Sequence, residues 1–583
     1  MSLGEQTFGG SPVYRWLLRR MWGLEHAFER SRASGRAEDD TRIRILFVLA
    51  LFILGFATLG VGATRAALFS DVLKGDGIEA AAGVPRADLV DRNGRLLAVD
   101  LPHFGLYIDP REIWDLNETR RDLSVALPQV APERLERALR ANRRTYLIGG
   151  LTPDQRDRID DLGLPGVSFE PEEKRVYPLD DTAAHLIGFT DSGGEGLAGA
   201  ELAFNEQVRN PGVGNAAFPL SIDVRIQAAL EDELGKAADQ FHPKGAVGLV
   251  TNVHTGEILA LASWPTFNPN RAGEASPDAR LDRAASSVFE MGSVFKAFTM
   301  AIGLDTGVAT PQSTFDARQP FHLGYRTITD YEATHKILTM VEVFQHSSNI
   351  GTAKLGEAIG PARMSRYFDA LGLTRPARVE LLESARPLTP KVWNDDAIAS
   401  ISFGHGIDVS PLALARGYDA LLNGGYLVPL TIRKVEPGTK VTGPRVVSNR
   451  TSLEVLQLMR ANVTGGTGRS ADIPGLNVGG KTGTGDKFEP SLRRYSHSKQ
   501  VSSFAATFPT DGPTSAPRYF VFMLMDEPQR DKTGLDPTGG IVAAPAVGRV
   551  IERIAPFLGI EPRPAFTPFQ TAQAAGPEVG GGQ

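Results

Sequence analysis

From Ile45 to Thr64 the chain carries no charged side chain and consists mostly of Leu, Ile, Phe, Val and Ala. A helix of about 20 apolar residues spans a bilayer core of about 30 Å, so this run is long enough to cross. No face of it is polar, unlike a helix resting on a soluble core. Arg42 and Arg44 stand just before it, and Arg15, Arg19, Arg20, Arg30, Arg32 and Arg36 lie upstream. That bias predicts a cytoplasmic N-terminus and export of everything after Arg65. A cleaved signal peptide is the competing reading, but its apolar region is shorter, about 7–15 residues. Tyr14 to Arg30 mixes Trp16, Leu17, Leu18, Trp22 and Leu24 with arginines, a pattern equally suited to an interfacial helix or a disordered tail.

Beyond the run, Ala87 to Val99 reads as a hairpin whose Asn93-Gly94 pair suits a tight turn with positive φ at both central residues. Leu116 to about Arg144 is helical and charged. Gly193, Gly194, Gly196 and Gly199 form a Gly-rich loop, but no strand precedes it and no Lys-Ser/Thr pair follows, so it is not read as a phosphate cradle. No catalytic constellation stands between Arg65 and about Leu220. From Ile222 the texture changes. Asp223 to Phe241 is an amphipathic helix, and Ala246–Asn252 and Glu257–Ser263 are apolar strands joined by His254, Thr255 and Gly256. Leu476–Gly480, Ser502–Phe508 and Arg518–Met525 are further strands, and Ile541–Ile554 a closing helix. A long, mostly helical stretch, about Ala285 to Asn462, separates the two groups of strands. Strands flanking a helical insertion predict a mixed α/β domain with an antiparallel sheet. The expected organisation is a cytoplasmic tail over 1–44, a transmembrane helix over 45–65, a non-catalytic exported domain over 66–220, the α/β domain over 221–560, and a disordered tail over 561–583, rich in Pro, Ala, Gly and Gln.

Composition narrows the chemistry. With 62 Lys and Arg against 68 Asp and Glu, the net charge of -6 does not advertise a nucleic-acid partner. There is no cysteine, which excludes disulfides, thiolate zinc sites and a cysteine nucleophile. Three short motifs stand in order: Ser293-Val294-Phe295-Lys296, Ser347-Ser348-Asn349, and Lys481-Thr482-Gly483-Thr484. Each is weak alone. Ser496 with Lys499 repeats the first spacing, and Lys532-Thr533-Gly534 repeats the third. Context favours the first copies. Ser293 opens an apolar helical run to Leu304, where residues three apart share a face and Lys296 meets the hydroxyl. Ser496 lies in a polar stretch before a strand. Lys481 follows a strand with Gly479 and Gly480 beside it, and Gly483 permits close approach of a ligand to the backbone. Lys532 lies in a charged loop. No His stands at helical spacing to Ser293, so Lys296 must serve as its base. A free lysine, with a pKa of about 10.4, is protonated at neutral pH. Burial and a second cation, with Lys481 the candidate, both push that value down. Gly404-His405-Gly406 is either a turn lining the cleft or a plain turn.

The trio of motifs resembles that of penicillin-binding proteins and class A β-lactamases. The resemblance extends over almost all of the exported part. It includes Arg175-Val176-Tyr177-Pro178, Ala184-His185-Leu186-Ile187-Gly188, Gly196-Leu197-Ala198-Gly199 with Glu201, Thr255-Gly256-Glu257-Ile258-Leu259-Ala260, and Pro265-Thr266-Phe267-Asn268-Pro269-Asn270. These are similar to the pedestal and core signatures of the class B branch, and Gly539-Gly540-Ile541-Val542-Ala543-Ala544-Pro545 is similar to its division-specific type. Met291 departs from the family's usual Pro. The resemblance implies a penicillin-binding transpeptidase/β-lactamase-like domain above an elongated, dimerisation-like pedestal. It implies a peptidoglycan D,D-transpeptidase of the inner membrane with no metal or organic cofactor, trapped by β-lactams. It implies septal partners, among them a membrane glycosyltransferase. Lys296 would take the proton of Ser293, and Ser347 would relay it to the leaving amine. Asn349 and Thr484 would hold the substrate amide, Lys481 and Thr482 the donor carboxylate. The N–H groups of Ser293 and Thr484 would form the oxyanion hole. The alternatives are an elongation-type transpeptidase, a hydrolytic relative, and an inert division scaffold.

Overall fold

The computed structural model describes residues 86–569, apart from 211–215, 324–325, 490–493 and 533, together with Phe52 and Phe56. Those two phenylalanines are helical and exposed. The rest of the expected anchor, and the tail before it, lie outside the described residues. Among the described residues no helix is long and apolar enough to cross a membrane.

After residue 86 the chain begins with β1 (Leu89–Val90) and β2 (Leu96–Ile108), an antiparallel pair. Gly94 takes a positive φ of 84°, but Asn93 does not, so the expected two-residue turn is corrected. Asp91 builds a longer turn instead: its Oδ1 accepts the N–H of Asn93 at 2.8 Å and of Arg95 at 2.9 Å. β2 pairs with β3 (Thr145–Leu151) and β4 (Val167–Val176), and β5 (Phe218–Pro219) adds in parallel beside β1. The helical stretch after Leu116 is two helices, α1 (Leu116–Ala126) and α2 (Pro132–Leu139), because Pro132 can start a helix but not continue one. With α3 (Pro153–Asp160) they bury Leu123, Leu135 and Ile159 against Leu106, Ile108 and Leu147.

The pedestal signatures form a buried ionic hub. Glu201, fully buried, binds Arg86 Nη2 at 2.6 Å and Arg175 Nε at 2.7 Å, and Arg175 also reaches Asp100 at 3.1 Å. Tyr177 and Asn270 exchange two hydrogen bonds of 2.9 Å, which ties the hub to the following domain. The Gly-rich loop holds no vacant nest: Asp191 Oδ1 already accepts the N–H of Gly193 and Glu195, each at 2.9 Å.

The second domain opens with α4 (Val224–Phe241), capped by Asp223. Its five-stranded antiparallel sheet runs β8-β9-β10-β6-β7, with β6 Gly245–Asn252, β7 Ile258–Trp264, β8 Gly479–Glu489, β9 Arg494–Phe508 and β10 Tyr519–Asp526. Every residue of β10 is buried because both faces of the sheet are covered. Phe520, Phe522 and Leu524 pack into the helical insertion, and Val521, Met523 and Met525 pack the other way. The insertion carries α5 (Lys296–Asp305), α6 (Met340–Gln345), α7 (Asn349–Ile359), α8 (Pro411–Leu422) and α9 (Asn449–Gly465). It also holds short strand pairs, such as Thr314–Asp316 with Ile337–Thr339, which three-residue runs do not betray in a sequence. α10 (Ala543–Ile554) packs with α4 beneath the sheet. Residues 561–569, expected within a disordered tail, run along the domain, with Arg563 N–H bonded to Gly475 O and Phe566 N–H to Asn477 Oδ1. Residues 570–583 lie outside the described residues.

One buried acid weakens this core. Asp419 on α8 is fully buried, its carboxyl within 2.8 Å of Thr251 Oγ1, and burial pushes its pKa up to about 8. A carboxyl so raised favours folding fully at low pH, and that contribution is lost as pH rises through about 8. Asp419→Asn keeps the shape and removes the titration. We expect it to flatten the pH dependence of Tm between pH 5 and 8 and to raise Tm at pH 8 by about 2–4 °C, measured by calorimetry.

Candidate active site

The chain enters α5 through a 3-10 turn, Gly292–Phe295, so Ser293 stands one turn before the helix rather than within it. The turn needs glycine at 292. Its φ is +58°, and a Cβ there would come within 2.7 Å of Thr484 O. Gly292 N–H bonds to Gly404 O at 3.2 Å, and Gly406 N–H to Glu290 Oε1 at 2.8 Å, so the Gly404–Gly406 turn lines this site. Tyr418 donates to Val294 O at 2.6 Å and fixes the turn from behind. Met291, where proline was the expected residue, is buried and keeps the turn intact.

Lys296 is fully buried and its Nζ lies 2.9 Å from Ser293 Oγ, while Ser293 itself is half-buried and open to solvent. Ser347 sits between α6 and α7 at φ +55°, a strained conformation for serine that turns its side chain and carbonyl toward Lys296. Lys296 Nζ meets Ser347 O, Ser347 Oγ at 3.0 Å and Asn349 Oδ1 at 2.8 Å. Asn349 donates its Nδ2 to Thr329 O, which leaves Oδ1 as the acceptor. A neutral Lys296 thus has both N–H bonds taken, by Ser347 O and Asn349 Oδ1, and its lone pair faces the hydroxyls of Ser293 and Ser347. Lys481, also fully buried, reaches Ser347 Oγ from the other side at 2.9 Å. Ser347 therefore bridges two amines.

Burial pushes the Lys296 amine down to about 7, opposed by the Asp330 carboxylate. Burial also pushes Lys481 well below the lysine range, with the charge of Lys296 adding to the fall. The expectation that a second cation lowers Lys296 is corrected in emphasis: burial is the cause there, and the repulsion weighs on Lys481. The two amines titrate as a pair.

Lys481, Thr482, Gly483 and Thr484 lie within β8, which extends to Glu489, where the sequence suggested a strand ending at Gly480. β8 is the edge of the sheet. Thr484 Oγ1 accepts Gly539 N–H at 3.1 Å, which brings the Gly539-Gly540 loop against the site; that loop precedes α10, which starts at Ala543 rather than Ile541. Of the competing motif copies, Ser496 lies within β9 rather than before it, and Lys532 is exposed in a turn. Asp330 was missed. It accepts Ser348 Oγ at 2.8 Å and Ile350 N–H at 2.9 Å, anchoring the start of α7, and no motif marks it in the sequence.

An open hydroxyl, a buried amine that can be neutral, and a second buried amine across a shared serine define the equipment of an active-site-serine acyl-transfer protein. The family described as penicillin binding protein transpeptidase domain matches residues 246–552, and the penicillin-binding protein dimerisation domain matches 81–207. The chain belongs to the penicillin-binding protein transpeptidase family. It is 60% identical over its whole length, and over all of the relative, to the Caulobacter vibrioides protein named "Probable peptidoglycan D,D-transpeptidase FtsI". It is 31% identical to peptidoglycan D,D-transpeptidase FtsI of Escherichia coli, covering 82% of this chain and 84% of that one. Among solved structures, penicillin-binding protein 3 of Mycobacterium tuberculosis, complexed with aztreonam, superposes with a TM-score of 0.63 at 25% identity, covering 84% of this chain and 99% of that one.

Proposed function

We propose that the chain is a serine-type peptidoglycan D,D-transpeptidase that cross-links stem peptides at the division septum. The carrying observation is the 2.9 Å approach of Lys296 Nζ to the hydroxyl of the half-buried Ser293. Ser293 Oγ attacks the carbonyl of the penultimate D-Ala of a donor stem peptide, and its proton passes to Lys296. The N–H groups of Ser293 and Thr484 hold the oxyanion, a task worth about 2.7–4 kcal/mol per donor. Ser347 passes a proton to the departing D-Ala amine, and an ester on Ser293 remains. The donor lies along the β8 edge, its carboxylate at Lys481 and Thr482, with Gly483 allowing close approach and Asn349 and Thr484 at its amide. An acceptor amine then attacks the ester, and Ser293 regains its proton. A β-lactam takes the donor's place and stays attached.

The septal role rests on the naming of the relatives and on Gly539–Pro545. The charge-free run from Ile45 to Thr64 supports a single membrane pass over 45–65, cytoplasmic 1–44, and an exported pedestal (66–220) and transpeptidase domain (221–560). The septal partners, a membrane glycosyltransferase among them, belong to this reading. Labelling the full-length protein with penicillin and mapping the digest by mass spectrometry tests the site. The adduct is expected on the peptide holding Ser293. An adduct on Ser496, or none, overturns the assignment.

A further inference from the structure

Two loops reach toward each other across the cleft that holds Ser293. One is fixed to the Ser347-Ser348-Asn349 motif: Thr329 O accepts Asn349 Nδ2 at 3.0 Å, and the Asp330 carboxylate holds Ser348 and Ile350. The other is fixed to β8: Gly539 donates its N–H to Thr484 Oγ1 at 3.1 Å, and Thr538 N–H closes a turn on Asp536 O at 2.7 Å. Tyr331, two residues past Thr329, donates its hydroxyl to Asp536 Oδ2 at 3.2 Å. Arg530 holds the other carboxylate oxygen, which leaves Oδ2 to the tyrosine. The contact completes an arch. From Asn349 it runs through Thr329, Tyr331, Asp536 and Gly539 to Thr484, and its two feet are the residues between which the donor amide lies. The arch leaves the donor's contacts free: the Asn349 amide keeps its second N–H, and the backbone of Thr484 takes no part. Its other two hydrogen bonds each have a backbone partner. Tyr331–Asp536 joins two side chains, and the tyrosine is 76% exposed, so this is the bond that opens most readily.

With the donor carboxylate at Lys481 and Thr482, the stem continues past Thr484 toward Asp486, which β8 pairs with Gln500. Gln500 and Asp536 line one cavity, which places the arch on that side, over the residues that precede the scissile bond. We propose that Tyr331 and Asp536 are a specificity-determining pair, a clasp over the upstream end of the donor cleft that selects against acyl chains too bulky to pass beneath it. The proposal deepens the transpeptidase reading and rests on it. Two oxygens 3.2 Å apart leave no room for a chain between them. A slender chain passes under the arch with the clasp shut. A bulky one binds only when the clasp is open, so its apparent affinity is reduced by the open fraction.

A β-lactam carries its acyl side chain where the donor carries those preceding residues. The test therefore compares a fluorescent penicillin, with the dye on its acyl side chain, and the unacylated penicillin nucleus, followed by competition. Both are measured on the full-length protein and on its Tyr331→Phe, Asp536→Ala and doubly substituted variants. Tyr331→Phe keeps the ring and removes the clasp. It is expected to lower the half-saturating concentration of the fluorescent penicillin about threefold, the scale of one exposed hydrogen bond, with the maximal acylation rate unchanged. Asp536→Ala does the same, and the double variant goes no further than either, because both substitutions break one contact. Acylation by the bare nucleus stays as it was in all of them. A half-saturating concentration that holds or rises in Tyr331→Phe, an equal fall for the bare nucleus, or effects that add in the double variant overturns the inference. If the unaltered protein takes no label at Ser293, the underlying reading fails instead.

Discussion

Ser293→Ala is expected to abolish covalent labelling by fluorescent penicillin, and Lys296→Met to slow it by about 10²–10⁴-fold, the usual contribution of a positioned base. The first result follows from the acyl bond itself, since Ser293 supplies the hydroxyl on which the adduct forms, while Ser347 Oγ is shared between the two amines. The second follows from the lone pair. Ser347 O and Asn349 Oδ1 take both N–H bonds of the neutral amine, so the remaining valence faces Ser293 Oγ at 2.9 Å. Methionine matches the length of the lysine stem and suits a fully buried position, so the variant folds and the loss is chemical. The same geometry fixes the pH dependence. Protonated Lys296 has no lone pair, and its pKa lies at about 7, so acylation by the unaltered protein rises as pH climbs through that value. Rates measured from pH 5 to 9, with Tm of each variant, check all of this. A Lys296→Met protein that acylates at the normal rate would remove Lys296 from the mechanism and leave Ser347, Lys481 or water as the base.

The trio of motifs that the structure brings together was legible because each member is short and ordered and Ser293–Lys296 is a one-turn relation. The sheet was legible in β6, β7 and β10, where long apolar runs are buried on one or both faces. It was misread at β8. A strand holding Gly479, Gly480, Gly483 and Gly485 has too few side chains to show alternation, so it was read only as far as Gly480. Asp330 was invisible for a different reason. Its two carboxylate oxygens act from a separate segment, and a lone Asp has no spacing to reveal it. The same holds in the pedestal, where Arg175 and Glu201 appeared only as parts of family signatures, and the structure supplies the physical cause.

That cause predicts the largest effect on stability. Glu201 is fully buried and lies against two buried guanidinium groups, Arg86 at 2.6 Å and Arg175 at 2.7 Å. Two cations and one carboxylate are an uneven set, and Asp100 at 3.1 Å from Arg175 supplies the second anion. Deleting the Glu201 side chain leaves Arg86 with uncharged partners for its guanidinium, the carbonyls of Gly194 and residue 201 and the amide oxygen of Asn205. Removing one member of a buried ion pair typically costs about 3–5 kcal/mol, because the remaining charge stays desolvated. Glu201→Ala is therefore expected to lower the melting temperature of the pedestal and to open it to limited proteolysis before the transpeptidase domain. Glu201→Gln, which keeps the shape and one acceptor oxygen, is expected to lose less. The cluster around Ser293 draws on none of these residues, so penicillin labelling should survive in the protease-resistant fragment. A Glu201→Ala protein as resistant as the unaltered one would mean that water reaches the hub and the arginines are not truly desolvated. Loss of labelling in step with pedestal cleavage would mean instead that the Tyr177–Asn270 link couples the two domains into one folding unit.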